Sequence, residues 1–155
     1  MKSKFAIIIL VLLLLVGCAG RQIDIIDSEG NVIGECVAGF DWHFYGLQDS
    51  IDYILHLCTK DSIEKGYTIS DKSLLERDFT LPKPPEGKSW NKKLAMYHFK
   101  KGDITEQKLG YVLAAIEHEY IVTSRAAEVK LTQGKISKVE FEQIISDARY
   151  AWLGE

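Results

Sequence analysis

The stretch RQIDIIDSEGNVIGECVAG, Arg21 to Gly39, decides what kind of fold the chain begins. Its apolar residues fall in two short alternating runs, Ile23, Ile25 and Ile26, then Val32, Ile33 and Val37. Between them Asp27-Ser28-Glu29-Gly30-Asn31 is turn chemistry, because Gly30 and Asn31 tolerate positive φ. The pattern predicts a β-hairpin, with Gly34 marking a bulge. The second strand carries Cys36.

An aromatic run, FDWHFYG from Phe40 to Gly46, leads into LQDSIDYILHLCTKDSIEKGY, which reads as a helix. Asp49 or Ser50 is its candidate cap and Gly66 its stop. Ile51, Ile54, Leu55 and Cys58 recur at three- and four-residue steps on one face, with Ile63 near the end. That face turns to the hairpin, so a bridge from Cys58 to Cys36 is geometrically reasonable. YTIS, Tyr67 to Ser70, supplies a short third strand and completes a β-β-α(-β) unit.

The chain's N-terminus has its own logic. Lys2 and Lys4 precede an unbroken apolar run, Phe5 to Val16, which ends in Gly17-Cys18. The run is shorter than the roughly 20 residues of an untilted membrane span, and it has the basic-then-apolar order of a secretory signal. In place of an A-x-A-like cleavage site stands Leu15-Val16-Gly17-Cys18. This resembles the lipobox of bacterial lipoproteins. The resemblance implies that residues 1–17 are removed and that Cys18 takes a diacylglyceryl group on sulfur and a palmitate-type acyl chain on its amine. Several acyl chains, at about 0.8 kcal/mol per buried methylene, make a stable anchor. Ala19, where an Asp would retain the protein in the inner membrane, implies the outer membrane facing the periplasm, with the cell surface or inner membrane as alternatives.

Taking 17 residues from 155 leaves 138, enough for one compact domain or two very small ones. Loss of Lys2 and Lys4 leaves 17 basic against 22 acidic residues, a net charge of −5 with histidine neutral. A mildly acidic chain without a basic cluster argues against nucleic acid, so any membrane attachment falls to the lipid anchor. In an oxidising compartment the two remaining cysteines, Cys36 and Cys58, read as a disulfide. Two buried thiols or a metal pair are the alternatives, but there is no CxxC and no histidine at a ligand interval, so no metal and no other cofactor is expected.

Pro82, Pro84 and Pro85 are all the prolines of the chain, and they make residues 71–90 the candidate linker between an α+β unit, 18–70, and a helical unit, 91–155. The helical unit repeats itself. Gly102, Ile104, Thr105, Leu109, Val112, Leu113 and Tyr120 align without a gap with Gly134, Ile136, Ser137, Phe141, Ile144, Ile145 and Trp152. In each copy a helix stops at glycine, an isoleucine precedes the cap, and Thr or Ser caps the next helix. Three helices follow, Asn91–Lys101, Glu106–Thr132 and Lys138–Leu153, forming a hairpin or small bundle. GDITEQKL and GKISKVEFE resemble the short SHOCT helical module of bacterial proteins, which implies oligomerisation or partner binding rather than catalysis. The fold class is therefore α+β.

For catalysis the sequence offers little. His43, beside Asp41 in DWHFY, is a candidate general base, and a small hydrolase built on that pair is one reading. The other is an aromatic cluster that closes the α+β unit. His56 falls on the polar side of the first helix, and His98 and His118 stand isolated on helices. No Gly-x-Ser-x-Gly, His-Glu-x-x-His or phosphate-cradling loop occurs. The expectation is a lipid-anchored, non-enzymatic protein that binds a partner or assists envelope assembly, with a structural protein oligomerising through its helical tail as the alternative.

Overall fold

A computed structural model describes residues 20–39 and 45–155. Arg21–Ile26 (β1) and Val32–Ala38 (β2) form the antiparallel hairpin. Asp27 closes its turn, accepting the backbone N–H groups of Glu29 and Asn31, both at 2.9 Å. Gly30 takes φ +89° there, a conformation open to glycine without a Cβ penalty. Ile23 stands opposite Cys36 and Ile25 opposite Gly34, after which the register shifts and Ile26 meets Val32. Ile33 is therefore the extra residue of a bulge beside Gly34. Thr68–Ile69 (β3) pairs antiparallel with the other edge of β1, giving the order β2-β1-β3.

Helix α1, Leu47–Glu64, starts earlier than a cap at Asp49 or Ser50 would allow. Gly46 is the cap, at φ 62°, and it has no side chain of its own to accept from the first turn. The reason is tertiary: the Gly46 N–H donates to Glu106 Oε1 at 2.9 Å, and Gly110 lies directly against it. Asp49 and Ser50 sit in the first turn and bond elsewhere, Asp49 to Arg77 and Ser50 toward the Gly110 carbonyl at 2.9 Å. At the other end Gly66 donates to the Ile63 carbonyl and Tyr67 to that of Ser62, a Schellman closure.

The inner face of α1 buries Ile51 and Leu55 against the sheet. Cys58 is bonded to Cys36 across a Cα–Cα distance of 5.8 Å. Ile63 is not on this face, being 38% exposed. The buried stripe continues instead through Thr59 and Ser62, which leaves the next residue about 100° around the helix.

Lys92–Lys101 (α2), Glu106–Thr132 (α3) and Lys138–Leu153 (α4) form the helical part. Their caps are those of the repeat. Asn91 accepts from Leu94 N–H at 2.8 Å, Thr105 from Lys108 N–H at 3.2 Å, and Ser137 and Glu140 form a reciprocal capping box. Leu109 to Ala114 of α3 is buried on every side, because α3 lies between two apolar clusters. Tyr111 and Ala114 join Ile23, Cys36, Ile51, Leu55, Leu74 and Phe79, while Leu109, Val112 and Leu113 pack with Ala95, Trp90 and Ile104.

Residues 71–90 run across the body of the protein. A 3-10 turn at Ser73–Leu75 buries Leu74. Phe79 is buried against Tyr53 and Tyr111, and Leu81 touches both clusters. Lys108 Nζ donates to the Thr80 carbonyl at 2.7 Å. The connection thus adds core contacts between the sheet and the helices. The fold of the described residues is α+β: a three-stranded antiparallel sheet, one helix between its second and third strands in sequence, three helices after it, and the Cys36–Cys58 disulfide.

Candidate functional site

A concavity lies among α2, α3 and α4. Helices α2 and α4 each pack chiefly on α3, and they meet each other near Asn91 and Gly154, where a Cβ on Gly154 would come within 2.5 Å of Asn91 Oδ1. Between them opens a groove of about 1200 Å³. Ile116 and Tyr120 of α3 and Ala148, Ala151 and Trp152 of α4 provide apolar surface, with Leu94, Tyr97 and His98 of α2 opposite. Tyr120 and Trp152 stack at 4.8 Å with their planes 19° apart.

Trp90 also lines the groove, and the proline segment fixes its indole: Nε1 donates to the Pro82 carbonyl at 2.7 Å. The ring stands edge-on to His98, 5.7 Å away. His98 is held in turn by Asp103, Nδ1 to Oδ2 at 2.7 Å, so Nδ1 carries the proton and Nε2 is left as the ring's other polar atom. The bond to His98, helped by Lys101, pulls the Asp103 carboxyl below its ordinary range. An oriented imidazole of this kind can accept a proton, but among the described residues no hydroxyl or thiol is hydrogen-bonded to it as a nucleophile would be.

Three lysines, Lys88, Lys93 and Lys101, line the groove alongside a single acid, Glu119. Lys93 lies 3.8 Å from Glu155 and Lys101 lies 3.5 Å from Asp103, exposed pairs that hold their partners weakly. With Glu119, Glu155 and Asp103 beside them, the three lysines leave the groove with balanced charge.

A second cluster is electrostatic and structural. Asp52 of α1 is 4% exposed and receives guanidinium groups from two separate segments. Arg21 at the start of β1 reaches Oδ1 at 2.8 Å, Arg77 reaches Oδ2, and Gln48 Nε2 donates to Oδ1 at 3.1 Å. Arg77 also approaches the Tyr111 hydroxyl at 3.3 Å and lies over the Phe79 ring. Arg21 continues to Asp71. The Ser73 backbone N–H and hydroxyl, with Arg21, hold the Asp71 pKa at about 2. One buried carboxylate thus ties together the sheet, α1 and the segment after β3.

The cysteines on strand and helix come together as a disulfide. Cys18, His43 and Asp41 lie outside the described residues. His56 is not on a polar face: it is half-buried, stacked 4.4 Å from Phe79, with Nδ1 3.2 Å from the Leu74 carbonyl. Phe79 comes from residues 71–90, so the helix's own pattern could not reveal this contact. His98 is likewise not isolated, since Gly102 turns Asp103 back onto it. His118 is exposed and lines a smaller hollow of about 490 Å³ beside Leu47, Ile54 and Ala114.

Among the described residues no group of three or more His, Cys, Asp or Glu side chains is arranged to hold a metal, and no helix is long and apolar enough to cross a membrane. Trp90 and Tyr97 went unnoticed in the sequence, although Trp90 directly precedes the Asn91 cap. Compared with known proteins, the chain matches no family model, no curated protein and no solved structure.

Proposed function

We propose that this protein is a lipid-anchored envelope protein, held by acyl chains on Cys18 at the outer membrane and facing the periplasm, whose helical part docks a partner protein. The anchor half of the reading is supported by the lipobox-like Leu15-Val16-Gly17-Cys18 and by a disulfide suited to an oxidising compartment. The spacing fits as well. Strand β1 begins at Arg21, three residues beyond Cys18, so a tether of at most about 10 Å would hold the sheet against the bilayer surface.

The observation that carries the docking half is the aromatic groove. It presents Tyr97, 59% exposed, and the stacked Tyr120–Trp152 pair on rigid helices, and exposed aromatic surface of this kind is enriched in protein interfaces. The SHOCT-like repeat points the same way. To test the reading, a photoreactive amino acid replaces Tyr97 in the membrane-bound protein, with a control probe at the exposed Lys60 of α1, away from the groove. A discrete adduct from position 97 alone supports docking; equal, diffuse labelling from both positions contradicts it. Cys18→Ser should release the protein from the membrane fraction.

A structural protein that self-associates through its tail is the second reading. It is favoured by the exposed apolar residues Val122, Val129 and Val139 on the α3–α4 hairpin. Sedimentation of the full chain in non-ionic detergent separates the two: a stable dimer that Val122→Lys and Val129→Lys dissolve would select self-association.

A further inference from the structure

The sheet ends on one side at β2, and part of that strand's backbone faces outward. The Asp24 N–H donates to Ser70 Oγ and the Asp24 carbonyl accepts from the Ser70 N–H, both at 3.0 Å, so Asp24 turns its backbone towards β3. Backbone direction alternates along a strand. Arg21, Ile23 and Ile25 therefore turn theirs to β2, where they stand opposite Ala38, Cys36 and Gly34. Glu35 and Val37 lie between these partners, so their N–H and C=O groups point away from the sheet. Among the described residues no fourth strand takes them. Val37 is 58% exposed, and Glu35 is exposed beside it. An open edge of this kind is a template for another strand.

A second feature lies next to this edge. The hollow of about 490 Å³ is lined by Val37 and Ala38 at the end of β2, by Leu47 and Ile54 of α1 and by Ile121 of α3. A strand laid along β2 would turn every other side chain to that side of the sheet. Its backbone would meet Glu35 and Val37, while its side chains opposite Cys36 and Ala38 would face the hollow. We infer that the free edge of β2 pairs with an extended segment of a partner protein that places large apolar side chains in this hollow. Main-chain bonds then give affinity and the hollow gives specificity.

Charge adds a further requirement. On the outer face Glu35 stands opposite Asp24, and among the described residues neither carboxylate forms an ion pair. Like charges directly opposite each other are unfavourable, so a lysine or arginine of the segment facing Glu35 completes the match. A second copy of β2 does not fit. It would turn only Gly34, Cys36 and Ala38 to the hollow, with Cys36 already bonded to Cys58, and it would bring another Glu35. This surface is separate from the α2–α4 groove and does not depend on it.

A synthetic peptide of about eight residues, with leucine at the positions facing the hollow and lysine opposite Glu35, tests this against the isotope-labelled full chain in non-ionic detergent. In the free protein the Glu35 and Val37 amides should exchange with solvent faster than that of Cys36. Peptide binding should slow both and shift the methyl signals of Leu47, Ile54 and Ile121. N-methylation of the peptide amides that would donate to β2 should weaken binding roughly tenfold, and aspartate in place of the lysine should weaken it about threefold. Val37→Pro removes an outward donor and no ladder bond, so it should keep the parent's circular dichroism spectrum and lose the peptide. No binding, unprotected Glu35 and Val37 amides at peptide saturation, or equal affinity for the N-methylated peptide would overturn the inference. So would undiminished binding to a folded Val37→Pro, or a chain dimer paired through β2. Should Val37→Pro fail to fold, the N-methylated peptide on the unaltered chain decides alone.

Discussion

Tyr120 and Trp152 hold equivalent positions in the two repeated units of the sequence, and their rings stack on each other, 4.8 Å between centroids. The antiparallel return of α4 along α3 brings residue 152 back to the level of residue 120, so the repeat is joined to itself at its aromatic positions. Stacked pairs contribute about 0.5–1.5 kcal/mol beyond the area they bury. Both residues are half-buried, so Trp152→Ala should cost about 2 kcal/mol, below the roughly 3–5 of a fully buried ring. Urea unfolding of Trp152→Ala, Tyr120→Ala and the double variant should show a favourable coupling of about 1 kcal/mol.

Gly110 and Gly46 let the start of α1 and the first turns of α3 meet backbone to backbone. A Cβ on Gly110 would lie 2.4 Å from the Gly46 carbonyl oxygen, a backbone atom that cannot swing away. Within a helix, alanine is favoured over glycine by about 1 kcal/mol, so an unconstrained site would be stabilised by Gly110→Ala. Here the clash should outweigh that gain and destabilise by about 2 kcal/mol or more. A raised melting temperature for Gly110→Ala would show that α1 and α3 are not in this contact.

Asp52→Asn leaves the Arg21 and Arg77 guanidiniums facing a neutral amide. Breaking a buried ion pair from one side costs about 3–5 kcal/mol. The two arginine side chains keep about a third of their exposure, 32% and 34%, so the expected loss is nearer about 2 kcal/mol. Chemical denaturation at neutral pH checks this.

Stability should fall in two acid steps. Burial lowers the His56 pKa below its ordinary 6.5, so the unfolded chain binds more protons than the folded one as pH drops through that value, and stability declines. His56→Gln should flatten this first step. Asp71 is held at about 2 against an ordinary 3.8. Its contribution is complete above the unfolded value and disappears as pH falls through the folded one, so Asp71→Asn should flatten the step between pH 4 and pH 2. Thermal melts across pH 2–8 provide the measurement.

The helical part was legible because its boundaries rest on local chemistry. Asn91, Thr105 and Ser137 cap with their own side chains, and Gly102 and Gly134 take positive φ at the ends. Helix α1 was legible in its inner face but not in its start, since Gly46 caps only because Glu106, 60 residues away, and Gly110 beyond it reach it from α3. The role of residues 71–90 was hidden by their prolines. Leu74, Arg77 and Phe79 carry the signal, but their partners, Asp52, Tyr53 and Tyr111, lie on other helices. The groove is hidden for the same reason, because no local pattern tells how far α2 and α4 stand apart on α3.

Intact-mass measurement of the protein extracted from membranes without reductant tests the central claim most directly. The predicted species begins at Cys18, carries a diacylglyceryl group and an amide-linked acyl chain, and lacks the two hydrogens lost when Cys36 joins Cys58. A species that retains residues 1–17, or one that carries no lipid and has both thiols free, would contradict the account.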